Sequence, residues 1–132
     1  VILDFELNIG CPKGIMPNLN TISWANEINK KIKINHNPLE VSEGSDCVIT
    51  DTWQSMGDQE SISEKTFLPF QVNKNIMRQA KDNAIFMHCL PAYRDKEVSV
   101  EVLEGKQSVV FDEAENRLHA QKAIMHFCLN LN

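Results

Sequence analysis

Five short apolar or β-branched runs, each separated from the next by residues at helical spacing, constrain this 132-residue chain more than any other feature. The runs cover residues 6–10, 33–36, 46–50, 84–88 and 108–111. Between them, Leu19, Ile22, Ile28 and Ile32 give one apolar helical face, and Ile76, Met77 and Ala80 give another. The longest helical segment is expected over 116–131, where Leu118, Met125, Cys128 and Leu131 fall on one side. Strands that alternate with helices imply right-handed crossovers and a parallel sheet covered on its faces. The expected fold is therefore α/β: a Rossmann-like three-layer domain with a parallel sheet of about five strands. Runs 46–50 and 84–88 are nearly all apolar, as strands at a sheet centre are.

Composition excludes several partners. Hydrophobic residues make up 42% and charged residues 23%, with a formal net charge of −5, the profile of an ordinary globular domain. No basic run interleaved with aromatics offers a nucleic-acid footprint. No apolar stretch reaches the roughly 20 residues that span a bilayer, and Asp4 and Glu6 interrupt the apolar opening that a signal peptide needs. Cys11, Cys47, Cys89 and Cys128 form no CxxC pair and are expected as free thiols in a cytoplasmic protein. Cys47 and Cys128 read as small buried apolar residues, and Trp24 as core. The chain opens on Val1, and a strand is expected within about five residues, a pattern that suits a fragment or a cleaved product.

In an open parallel sheet, ligands bind beyond the carboxyl ends of the strands. That rule selects the turns at 11–14, 51–57, 89–94 and 112–117, which hold most of the chemically capable residues. In Asp51-Thr-Trp-Gln-Ser-Met-Gly57, Asp51 could take an ammonium while Ser55 and the N–H groups near Met56 take a carboxylate; equally, Asp51 could cap a helix. Trp53 lies within this loop, and 54–70 has few apolar anchors before Phe67, as a mobile lid would. In His88-Cys-Leu-Pro91, a strand-tip cysteine can act as a nucleophile or base. Neighbours along a strand face opposite ways, so His88 reads as a residue hydrogen-bonded in place rather than as a partner of Cys89. The Leu90–Pro91 peptide is expected to be cis, turning the Leu90 carbonyl toward the site. In 112–117 the acids suit a first helical turn, and Arg117 suits a phosphate or a carbonyl oxygen. A metal site from Asp112, Glu113 and Glu115 lacks a fourth ligand. His119 and His126 read as surface or packing residues.

DxxxSMG, HCLP and ENR, in this order and spacing, resemble the carbamoyltransferases that act on ornithine, and CPKG at 11–14 and FDEAENRLHAQKAIM at 111–125 fit the same family. The resemblance covers essentially the whole chain. The SMG sequence is similar to the ornithine-type loop, which varies in relatives acting on putrescine or acetylated ornithine. It implies attack of the ornithine δ-amine on carbamoyl phosphate, giving citrulline and phosphate in arginine biosynthesis, without metal or organic cofactor. Asp51 would bind the substrate's amine groups, and Ser55 and Met56 its α-amino and carboxylate end. Cys89 would sit beside the δ-nitrogen, while the Leu90 carbonyl and Arg117 grip the carbamoyl group. By the same resemblance, residues 1–132 are the ornithine-binding domain, and the carbamoyl-phosphate half, with its Ser-Thr-Arg-Thr and His-Pro-x-Gln motifs, is not in this sequence. The complete enzyme would be a homotrimer, and this chain alone would be inactive.

Competing readings are a stand-alone amino-acid-binding module, a catabolic ornithine carbamoyltransferase of the arginine deiminase pathway and a dinucleotide enzyme. No GxGxxG follows any strand, which counts against the last.

Overall fold

The computed structural model describes residues 5–28, 31–54 and 62–129. In chain order, strand β1 (Leu7–Gly10) is followed by helix α1 (Leu19–Ile28), β2 (Ile32–Asn35), α2 (Pro38–Ser42) and β3 (Cys47–Thr50). Helix α3 (Glu64–Phe67), a 3-10 turn (Leu68–Phe70), α4 (Lys74–Met77), β4 (Ile85–His88), α5 (Val100–Leu103) and α6 (Val110–Cys128) complete it. Four of the five expected strands are present within a residue of their expected bounds, and both pairings are parallel, so the α/β reading holds.

The single five-stranded sheet is corrected. Among the described residues there are two two-stranded sheets, β1–β2 and β3–β4. Residues 108–111 do not form a strand: Ser108 makes one parallel bridge to Phe86, and Val110 already begins α6. Asp112 and Glu113 occupy the first turn of that helix, where their charge favours helix over extended chain. The helix thus starts six residues before the expected Asn116. Ile32, expected on a helical face, is the first residue of β2.

Packing concentrates around β4. Phe86, fully buried, pairs with Val48 on one side, and its N–H and C=O bond Gln107 and Val109 on the other. Around it gather Val72, Ile76, Met77, Val98, Val102, Leu103 and Val110, with Val48, Leu90 and Ala92 packed against their edge. Alternation along β4 puts Phe86 and His88 on the buried face. Asn73 caps α4 by accepting from the N–H groups of Asn75 and Ile76, which directs Ile76 and Met77 inward.

Other sequence expectations fail for lack of covering layers. Trp24 is 50% exposed, Cys128 is exposed and Cys47 only half-buried. Val110 alone is buried in α6, whereas Leu118, Ile124, Met125 and Phe127 (81% exposed) face outward. Leu131 lies outside the described residues. Leu118, Met125 and Cys128, expected on one side of the last helix, are therefore all exposed. All four cysteines are free, and no described helix is long and apolar enough to cross a membrane.

Candidate functional site

The register of β3 and β4 builds the site. Thr50 pairs with His88, so Asp51 and Cys89 leave the sheet side by side at its carboxyl edge. The Cys89 thiol donates to Asp51 Oδ1 at 3.1 Å, and the Thr52 N–H donates to the same oxygen at 2.7 Å. These two hydrogen bonds, the thiol's first, hold the Asp51 carboxyl below its ordinary value. The same bond raises the Cys89 thiol above its ordinary value, with burial and the Asp51 charge adding to it. Cys89 is therefore a protonated thiol facing a carboxylate, which corrects the poised thiolate that a strand-tip cysteine suggested.

His88 turns the other way. Its ring is fully buried, with Nε2 3.2 Å from Glu97 Oε1 and Nδ1 accepting the Leu90 N–H at 2.9 Å. It is hydrogen-bonded in place, as expected. Its own N–H donates to Glu113 Oε2 at 3.0 Å, tying the strand end to the first turn of α6. Asp51, His88 and Cys89 each offer one donor atom within 4.8 Å of the others, a spacing a metal could use. Both His88 nitrogens are already engaged and the thiol keeps its proton, so the set suits hydrogen bonding better than metal ligation. Glu113 serves the strand end rather than a cluster with Asp112 and Glu115.

The Leu90–Pro91 peptide is cis, as expected, and Leu90 itself has φ +53°. From there Cys89, Leu90 and Pro91 line an open cleft of about 650 Å³, with Phe111, Ala114 and Arg117 of α6 opposite. Arg117 is exposed and has no hydrogen-bond or ion-pair partner among the described residues. It lies two turns into the helix rather than at its entrance. Ser55 and Met56 lie outside the described residues, so the structure brings together Asp51, Cys89, Leu90 and Arg117 of the six expected residues. Just after Asp51 in the chain, Trp53 stacks on Phe67 at 5.7 Å, and Thr52, Trp53 and the Lys96–Glu64 pair (2.6 Å) line a smaller hollow of about 210 Å³. Residues 55–61 of the expected lid lie outside the described residues; its later part contains α3 and the 3-10 turn.

Sequence reasoning missed Glu97 altogether. It is 1% exposed and accepts from both His88 and the Tyr93 N–H. It ends the charged run Arg94-Asp95-Lys96-Glu97, which reads in the linear chain as a solvated turn and gives no signal of burial.

Parallel strands whose carboxyl ends carry an acid and a thiol, faced by an unpaired arginine, define an α/β domain organised around a strand-end ligand site. The chain belongs to the aspartate/ornithine carbamoyltransferase family: the model of its Asp/Orn-binding domain matches residues 1–128. Among curated relatives, an ornithine carbamoyltransferase of Brucella abortus is 51% identical over 127 residues, 96% of this chain and 41% of its own length. The crystal structure of an anabolic ornithine carbamoyltransferase from Campylobacter jejuni superposes with a TM-score of 0.87 at 39% identity, covering 96% of this chain and 43% of that one. The enzyme of Pyrococcus furiosus gives 0.84 at 40% identity, covering 92% and 41%. The chain thus spans about two fifths of the length of the relatives it matches.

Proposed function

We propose that this chain is the ornithine-binding domain, over residues 1–132, of an enzyme that transfers the carbamoyl group of carbamoyl phosphate to the δ-amine of ornithine. The observation that carries the reading is the Asp51 carboxylate and Cys89 thiol, 3.1 Å apart at level strand ends, beside a cleft that Leu90 shares with the unpaired Arg117.

Each group has a role that its chemistry permits. Asp51, deprotonated by its two hydrogen bonds, is the group able to accept from a substrate amine. Cys89 keeps its proton and offers the δ-nitrogen a sulfur lone pair rather than a strong base. Ser55 and Met56 hold the α-amino and carboxylate end. The Leu90 carbonyl orients the carbamoyl NH2 group, and the Arg117 guanidinium steadies the oxygen that gains charge as nitrogen attacks carbon. The C–O bond to phosphate then breaks, and the proton lost from nitrogen leaves with phosphate. Coverage of two fifths of the relatives' length supports a separate carbamoyl-phosphate-binding part as the partner.

Calorimetric titration of L-ornithine into this chain tests the reading. It is run with and without the carbamoyl-phosphate-binding segment of a relative, supplied as a second polypeptide together with carbamoyl phosphate. Binding and citrulline formation in the reconstituted pair are expected, with no turnover by the chain alone. A pair that assembles yet neither binds ornithine nor forms citrulline refutes it.

A further inference from the structure

The transfer reading assigns roles to Asp51, Cys89, Leu90 and Arg117 but leaves two buried polar side chains unused. His88 is 0% and Glu97 1% exposed, and taking an imidazole and a carboxylate out of water costs several kcal/mol unless their hydrogen bonds are satisfied. The partners they have chosen are informative. The Leu90 N–H can only donate, so the His88 Nδ1 that receives it carries no hydrogen. The hydrogen is therefore on Nε2, which donates to Glu97 Oε1. The same Glu97 oxygen accepts the Tyr93 N–H at 2.6 Å. Both side chains thus spend their polarity on backbone amides of one turn, the turn that carries Cys89 and Leu90.

That turn has reason to need holding. Leu90 sits in the left-handed region, which costs a residue bearing a side chain about 1–2 kcal/mol. The Leu90 side chain packs against the core edge while the residue lines the cleft, so its backbone orientation decides where its carbonyl aims. Resting on the transfer reading, we propose that His88 is a positioning residue: with Glu97 fixing its tautomer, its Nδ1 holds the Leu90 amide and so sets the Cys89–Leu90 turn for carbamoyl transfer.

Two substitutions separate this from mere filling of the core. His88→Asn places an amide oxygen near the former Nδ1 and keeps an acceptor for Leu90, but does not reach Glu97. His88→Gln places an amide N–H near the former Nε2 and satisfies Glu97, but leaves the Leu90 N–H unbonded. In the pair reconstituted from this chain and the carbamoyl-phosphate-binding segment, H88Q is expected to lose kcat by roughly ten- to a hundredfold, with ornithine KM changing by less than about threefold. H88N is expected to keep kcat within about threefold while melting lower than H88Q, because it leaves the buried Glu97 carboxylate with the Tyr93 N–H but without its side-chain donor. In this chain alone, 15N spectra should show the His88 Nε2–H tautomer, and exchange of the Leu90 amide should quicken in H88Q but not in H88N. A purely structural role makes activity follow stability, so equal kcat losses, or H88N as the slower enzyme, overturn the proposal. An Nδ1–H tautomer, or Leu90 exchange unchanged in H88Q, overturns it as well. If the unsubstituted pair forms no citrulline, the transfer reading fails, and the His88 role in catalysis falls with it. The tautomer and exchange data would then still show whether the His88 clamp on Leu90 exists.

Discussion

Replacing Asp51 with Asn tests the site at its most informative atom. Asn keeps an oxygen able to accept the Cys89 thiol and the Thr52 N–H, 3.1 and 2.7 Å away, and removes only the charge. Two consequences follow from one change. An ammonium–carboxylate hydrogen bond is worth about 1.5–3 kcal/mol, and each 1.4 kcal/mol is about tenfold in affinity, so ornithine Kd should rise about ten- to a hundredfold. Carbamoyl phosphate, which on the proposed reading is held through Arg117, should bind as before. The second consequence concerns the thiol. The Asp51 bond and charge keep Cys89 protonated above the ordinary thiol value of 9.0. A group raised in the folded state adds stability below its unfolded value and loses it as pH climbs through the folded value. In the parent chain, the iodoacetamide labelling profile of Cys89 should therefore lie at higher pH than that of an ordinary thiol, and in D51N it should shift to lower pH. Asp51 is exposed, so the melting temperature should barely move. Titration calorimetry of both substrates into the reconstituted pair, mass-spectrometric labelling of Cys89 across pH and a thermal melt read all four. Equal weakening of both substrates, or an unshifted labelling profile, would refute the reasoning.

Phe86→Ala should cost about 3–5 kcal/mol, because a fully buried ring at the centre of the core leaves a cavity, and should lower Tm by roughly 10 °C or more in a thermal melt. A loss under about 1 kcal/mol would mean that the core does not centre on β4. Leu118→Gln combined with Phe127→Gln should leave Tm unchanged, since both side chains are exposed on α6, while reducing binding of a hydrophobic dye and self-association in light scattering. A marked fall in Tm would show that these residues pack against the domain.

Much of this architecture was legible in the linear chain because it rests on local periodicity. Runs such as 84–88 match a buried strand wherever they occur, and four of them became parallel strands. The strand-end rule then placed Asp51, Cys89, Leu90 and Arg117 near one another before any distance was known, and three of the four line the same cleft. Where extended and helical tendencies competed, periodicity could not arbitrate. At Ser108–Val110, one bridge to Phe86 and two acids in the following turn settled the contest for helix. Burial was equally out of reach: Trp24, Cys128 and the stripe on α6 carry apolar side chains, but whether they are covered depends on which layers stand over them. The protonation of Cys89 and the service of Glu97 and Glu113 to the His88 turn are long-range facts. They join positions nine to thirty-eight residues apart through contacts that only the parallel register of β3 and β4, and the helix laid against them, bring within hydrogen-bond reach. Composition and spacing determined which groups were available for chemistry; tertiary structure decided which of them hold a proton, which hold the backbone, and which face the cleft, because those properties depend on distances that no local pattern encodes.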